Sequence, residues 1–268
     1  MRVSSSFMIT GFLLARSLTG TVAAAQSAAD FIHAGVEAQL ARDPVTGRHE
    51  MELAIAADST SYEAHWRLAE LLVDIGKQTP DSVKSAARDS LYAAAEAQAR
   101  IAVALNPDGA DGHYILAAGI GRASLTKGKK ERVKRAGEIR AEALRAIELD
   151  PSHHKAYHVM GRWNAEIMRL SGLQRFFAKS FLGGKIFDAA AWDSAVVYMG
   201  KALQYSPDNI YHHLDMAEIL IDRERFTEAR VHLTRIAELP IFDVMDPVYK
   251  ERAALLLVRT EGKKDKGG

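Results

Sequence analysis

The chain has 268 residues, 48% of them hydrophobic, with 35 Lys and Arg against 34 Asp and Glu. A net charge of +1 argues against general nucleic-acid binding, which calls for a clear basic excess. The absence of cysteine excludes disulfides, thiolate metal sites and cysteine nucleophiles.

Only 7 prolines, with abundant Ala, Leu, Arg and Glu, favour an all-helical body. The chain opens with Arg2, an apolar run over residues 7–15 and the small residues Ala23 and Ala25 before Gln26. Residues 1–25 are expected to be a signal peptide cleaved near Ala25-Gln26, although Arg16 interrupts the apolar segment. Export to a bacterial periplasm, and a soluble mature protein, are the corresponding expectations.

Residues 28–42 carry Phe31, Ile32, Val36 and Leu40 at helical spacing, and Asp43-Pro44 stops them. A short helix over 47–57 follows. Residues 61–75 predict a strong helix through Trp66, Leu68, Ala69, Leu72 and Ile75, with Gly76 as its C-terminal stop. Thr79-Pro80 offers an N-cap and a first-turn proline for a helix running to Leu105. Further helices are predicted over 111–125, 130–149, 154–170, 191–205, 210–223, 226–238 and 246–259, with an irregular apolar insertion at 171–190. The lysine- and glycine-rich tail, 261–268, is expected to be disordered.

Aligned on Pro107, Pro151 and Pro207, the chain repeats itself. Five residues before each proline stand Ala102, Ala146 and Ala202. The apolar pairs Val103/Leu105, Ile147/Leu149 and Leu203/Tyr205 follow them, and Ala95, Ile139 and Ala195 lie twelve before the prolines. After each proline the next helix supplies a bulky then a small residue: Tyr114 and Ala117, Tyr157 and Gly161, His213 and Ala217. Small residues on one helix of a hairpin let the other approach closely. The hinge 146–163, AIELDPSHHKAYHVMGRW, carries this pattern most fully, with Asp150-Pro151 as the helix stop.

This pattern resembles the tetratricopeptide repeat, with spacings of 44 and 56 residues between successive prolines where the ordinary repeat has about 34. It predicts a degenerate repeat at 27–60, repeats at 61–108, 109–152, 153–208 and 209–240, and a capping helix at 246–259, together one domain over 26–260. The stretches HWRLAELLVDIG (65–76), GRASLTKGKKERVKRAGEIR (121–140) and YHVMGRWNAEIMRLSGLQRFFAKSFLGG (157–184) resemble the regulator of microtubule dynamics family, including its bacterial relatives. The resemblance covers residues 50–240 and implies an all-α tetratricopeptide-type superhelix of lengthened hairpins that binds rather than catalyses. An exported chain would not meet cytoplasmic microtubules.

Repeats of this kind bind on the concave face lined by the first helix of each pair. The corresponding positions are Trp66, Tyr114, His158 and Leu214, with Glu70, Ala118, Arg162 and Glu218 one turn on. An aromatic-rich row with isolated charges suits an extended protein or peptide segment, or it packs between hairpins. The function expected is a non-enzymatic protein- or peptide-binding scaffold. The alternative is a carrier of a lipid or other apolar molecule, with Phe176, Phe177 and Phe181 of the insertion as membrane or partner contact; that stripe reads more readily as core. The basic cluster 127–135 reads as a solvated helix start. His154 and His158 are four apart, as on metal-binding helices, but they lack an evident third ligand, so no metal or other cofactor is expected. No nucleophile elbow, phosphate-cradling glycine loop or paired acid motif stands out, and no catalytic residue is assigned.

Overall fold

The computed structural model describes residues 27–182 and 184–266, without the side chains of Phe177, Phe181, Leu182, Gly184 and Lys185. The expected leader, with its cleavage position, and the last two tail residues lie outside the described residues. Among the described residues there are twelve α-helices and no strand. No described helix is long and apolar enough to cross a membrane.

The helices pair in chain order. α1 (Ala28–Leu40) packs on α2 (Pro44–Ala57), and α3 (Tyr62–Lys77) on α4 (Ala86–Leu105). α5 (Ala110–Ala123) packs on α6 (Lys129–Leu149), and α7 (His154–Arg169) on α9 (Trp192–Tyr205), with α8 (Gly172–Leu182) inserted between. α10 (Ile210–Asp222) and α11 (Phe226–Glu238) form the last hairpin, and α12 (Asp246–Thr260) closes the array.

Sequence chemistry sets the joints. Asn106, Asp150 and Ser206 leave the helical region before their prolines, and each returns its N–H to the alanine carbonyl four residues back. Asp58 adopts the same geometry without a following proline, so the joint survives in the degenerate copy. Ala54, Ala102, Ala146 and Ala202 are fully buried. At Gly161 an added Cβ would stand 2.9 Å from the Met199 methyl and 3.3 Å from the Met199 backbone nitrogen, because α7 and α9 touch there.

A clamp repeats at each joint. His65, His113 and His213 direct Nε2–H to the carbonyls of Ser59, Pro107 and Pro207, at 3.1, 2.9 and 2.8 Å. Tyr157 does the same with its hydroxyl to Pro151. The clamp aligns Tyr157 and His213 with His113, correcting by one residue the register that placed Tyr114 beside them.

Several local expectations are corrected. Gly76 does not end α3; the helix continues to Lys77, and Gly76 lies against the Tyr92 ring, where an added Cβ would clash at 2.4 Å. Thr79-Pro80 sits in a turn, and Ser85 caps α4. Arg88 holds that turn by donating to the carbonyls of Pro80 and Val83, both at 2.8 Å. The insertion is ordered as α8 and a 3-10 turn (Gly184–Ala189) rather than irregular. Ala178 and Phe187 are buried with Val133 and Trp163, whereas Leu173 and Phe176 are exposed. Residues 261–266 are not loose. Lys266 N–H donates to the Glu224 carbonyl, and the Asp265 carboxylate accepts from Thr227 N–H at 2.8 Å, tying the tail to the start of α11.

The array curves until its ends meet. Arg42, in the α1–α2 turn at φ +62°, donates to the Ile241 carbonyl at 3.3 Å across a separation of 199 residues. That contact brings the two ends of the array together beside the surface lined by α3, α5, α7 and α10.

Candidate functional site

The row of first-helix positions converges, but it is far less open than a groove. Glu70 and His158 are buried, Leu214 is 2% exposed in the core of the last hairpins, and Trp66 and Tyr114 are half-buried against the α3–α5 core. Leu214 is therefore a packing residue. Trp66 lies beneath the Arg67 guanidinium, 4.3 Å from its ring. Glu218 pairs with Arg252 of α12 at 2.5 Å, so the C-terminal helix covers that end of the row.

At the row's other end, contacts skip a helix, as only an inner surface permits. Lys155 of α7 reaches past α5 to the Glu70 carboxylate of α3 at 2.6 Å. The Tyr114 hydroxyl and the Gln39 amide also donate to Glu70, both at 3.4 Å. Burial pushes the Glu70 carboxyl up, but the Lys155 ammonium and these donors outweigh it and hold the group at about 2. One turn on, burial raises Asp74 to about 6, Lys77 opposing and Asp243 and Glu70 adding to the rise.

At the centre, three cations from three hairpins surround one phenol. Arg122 and Arg162 both donate to the Tyr211 hydroxyl, and the Lys77 ammonium lies 5.6 Å from the Tyr211 ring centre. Tyr249 of α12 stacks on that ring at 4.6 Å and 7°. Arg162 also donates to Asp215 at 3.3 Å, and His158 donates Nε2–H to the same carboxylate at 2.7 Å. Burial raises the Asp215 carboxyl, but Arg162 and the His158 hydrogen bond outweigh it and hold it at about 2. The Arg162 side chain stays 36% exposed and that of Arg122 20% exposed, and each makes a further ion pair, Arg122 with Asp81 at 3.3 Å and Arg162 with Glu166 at 3.5 Å.

The histidines behave differently. His154 Nδ1 and His212 Nε2 are 2.8 Å apart, and the His158 ring tilts against His212 with centroids 4.8 Å apart. Burial, with cationic and histidine neighbours, lowers His154 to about 4 and holds His212 well below its ordinary value. His213 turns away to His232 at 2.9 Å. No group of three His, Asp or Glu among the described residues has the arrangement of a metal site.

Gly161 and Trp163 are not part of the inner surface. Trp163 is buried and donates Nε1–H to the Ala136 carbonyl at 2.8 Å, pinning α7 to α6. Of the insertion's candidates, Phe176 is exposed on α8, while the side chains of Phe177 and Phe181 lie outside the described residues.

Sequence reasoning missed Lys77, Arg122, Lys155, Tyr211, Asp215 and Tyr249. Lys155 and Tyr211 stand three residues before His158 and Leu214, on the same helical face, so the period alone points to them. Tyr249 carries no such signal, because α12 lies outside the repeat.

Stacked helical hairpins with a repeated joint and an inner surface lined by first helices define a tetratricopeptide-type solenoid. The family model described as Regulator of microtubule dynamics protein 1-3 matches residues 35–261, and the chain belongs to that family. No match to a curated protein was found by sequence comparison. Among solved structures, TTC0263, a thermophilic TPR protein of Thermus thermophilus, aligns with TM-score 0.61 at 17% identity, covering 85% of this chain and 100% of that one. Pseudomonas aeruginosa pilF aligns with TM-score 0.51 at 15% identity, covering 88% and 93%. At these identities the likeness establishes the fold.

Proposed function

We propose that this chain is a non-enzymatic scaffold that takes an acidic, extended protein segment along its inner surface. The observation that carries this reading is the convergence of Lys77, Arg122 and Arg162 on Tyr211, with both arginine side chains partly exposed. Guanidiniums held by ion pairs and stacked phenols are already ordered, so a carboxylate arriving there costs little side-chain entropy. The same surface supports protein binding over an apolar carrier, because ammonium, guanidinium, carboxylate and phenol groups line it rather than a hydrocarbon chamber. The leader-like N-terminus supports an extracytoplasmic setting for this binding.

The test is site-specific photo-crosslinking in an extract of the native cells. A photo-reactive residue at Glu166, exposed beside Arg162, is compared with one at Val197, exposed on α9. A protein captured only from position 166, and lost in Arg122→Gln/Arg162→Gln, is the expected result. Identical capture from both positions, or capture that survives the double substitution, refutes the reading.

A further inference from the structure

A terminal helix of a solenoid ordinarily turns a polar face to solvent. α12 does not. Val248, Leu255 and Val258 are 53, 61 and 70% exposed, on one side of the helix with exposed Ala254. The opposite side is firmly anchored: Ala253 and Leu256 are buried and Tyr249 stacks on Tyr211, while Arg252, at the edge of the outer face, pairs with Glu218. The tail does not cover the outer stripe either, because residues 263–266 return to α11.

We propose that the outer face of α12 pairs with the α12 of a second copy of this chain, antiparallel, about a two-fold axis at Leu255. Charge placement selects this occupant. Glu251, Leu255 and Arg259 are spaced by four and form one ridge, with an acid at one end and a base at the other. Among the described residues neither Glu251 nor Arg259 makes an ion pair. An antiparallel two-fold at Leu255 sets each Glu251 opposite the Arg259 of the second copy, twice per dimer. A parallel pairing would instead align like charges. Ridges spaced by four interdigitate at a crossing angle near −50°. The Ala254–Val258 row beside the ridge then forms the groove that receives the second Leu255, Ala254 being small enough to let the helices close. α12 is 15 residues long, about 22 Å, so the contact lies at the small end of specific interfaces and the dimer is concentration-dependent.

The test is sedimentation velocity of the purified chain across a dilution series, with unfolding curves as the control for folding. The native chain should pass from dimer to monomer on dilution, and Leu255→Glu, placing two carboxylates at the axis, should be monomeric throughout. Glu251→Arg and Arg259→Glu should each weaken the dimer about tenfold, since either removes two exposed ion pairs and sets like charges together. The double swap Glu251→Arg/Arg259→Glu should restore the native dissociation constant. A native chain that is monomeric at every concentration overturns the proposal. So does any oligomer that persists in Leu255→Glu, or a double swap no better than its single variants.

Discussion

Replacing Lys155 with methionine removes the ammonium that reaches from α7 to α3 while keeping most of the aliphatic stem. The Glu70 carboxylate then stays buried, 8% exposed as a side chain, with only the Tyr114 hydroxyl and the Gln39 amide as donors. In the native protein Glu70 is held at about 2 against an ordinary 4.5. That difference corresponds to roughly 3 kcal/mol, and the 39% exposure of the Lys155 side chain lowers it to roughly 2 kcal/mol. For a domain of this size the melting temperature of Lys155→Met should fall by about 4–8 °C at pH 7, read by circular dichroism at 222 nm. The sign of the pH dependence follows. A carboxylate with a depressed folded pKa contributes stability that is complete above its unfolded value and lost as pH falls toward the folded one. The gap between native and variant should therefore be full above pH 5 and shrink from 4.5 toward 2. Glu70→Gln/Lys155→Met should be more stable than Lys155→Met, because it leaves no unpaired buried charge. An unchanged melting temperature, a gap independent of pH, or a double variant worse than the single one would refute the assigned ion pair.

Three further outcomes are expected. His154 and His232 are both held at about 4 by burial, so the folded state binds fewer protons than the unfolded one, and stability should fall between pH 6.5 and 4. His232→Gln should remove roughly 1 kcal/mol of that loss, seen as a flatter plot of melting temperature against pH. Gly161→Val should cost roughly 2–3 kcal/mol by prying α7 from α9 at Met199, measured by urea unfolding. Glu224→Gly should raise stability by up to about 1 kcal/mol, since Glu224 sits at φ +58° and its exposed pairing with Lys266 contributes little.

The hairpins, their order and their joints were legible in the sequence because each depends on local chemistry. Asn106-Pro107, Asp150-Pro151 and Ser206-Pro207 stop helices by steric exclusion within two residues, and Ala102, Ala146 and Ala202 mark the faces that pack. Errors fell where a residue's local preference competed with a distant partner. Gly76 reads as a helix stop, yet the Tyr92 ring needs a residue without a side chain there, and the helix runs on. Thr79-Pro80 reads as a helix start, but Arg88 folds that segment into a turn.

The state of the inner row was decided by tertiary structure. Helical period alone places Trp66, Tyr114, His158 and Leu214 on one stripe, but it says nothing of how tightly successive hairpins curve. Curvature accumulates from small rotations at each interface, and here it brings Arg42 to Ile241 and lays α12 across Glu218 and Tyr211. An expected open groove thus becomes a network of ion pairs in which Lys155 meets Glu70 and two arginines share one phenol. By itself the sequence determined which faces turn inward, because that is a matter of period. How much room they leave, and which charges meet, depended on long-range closure of the array, which no local pattern records.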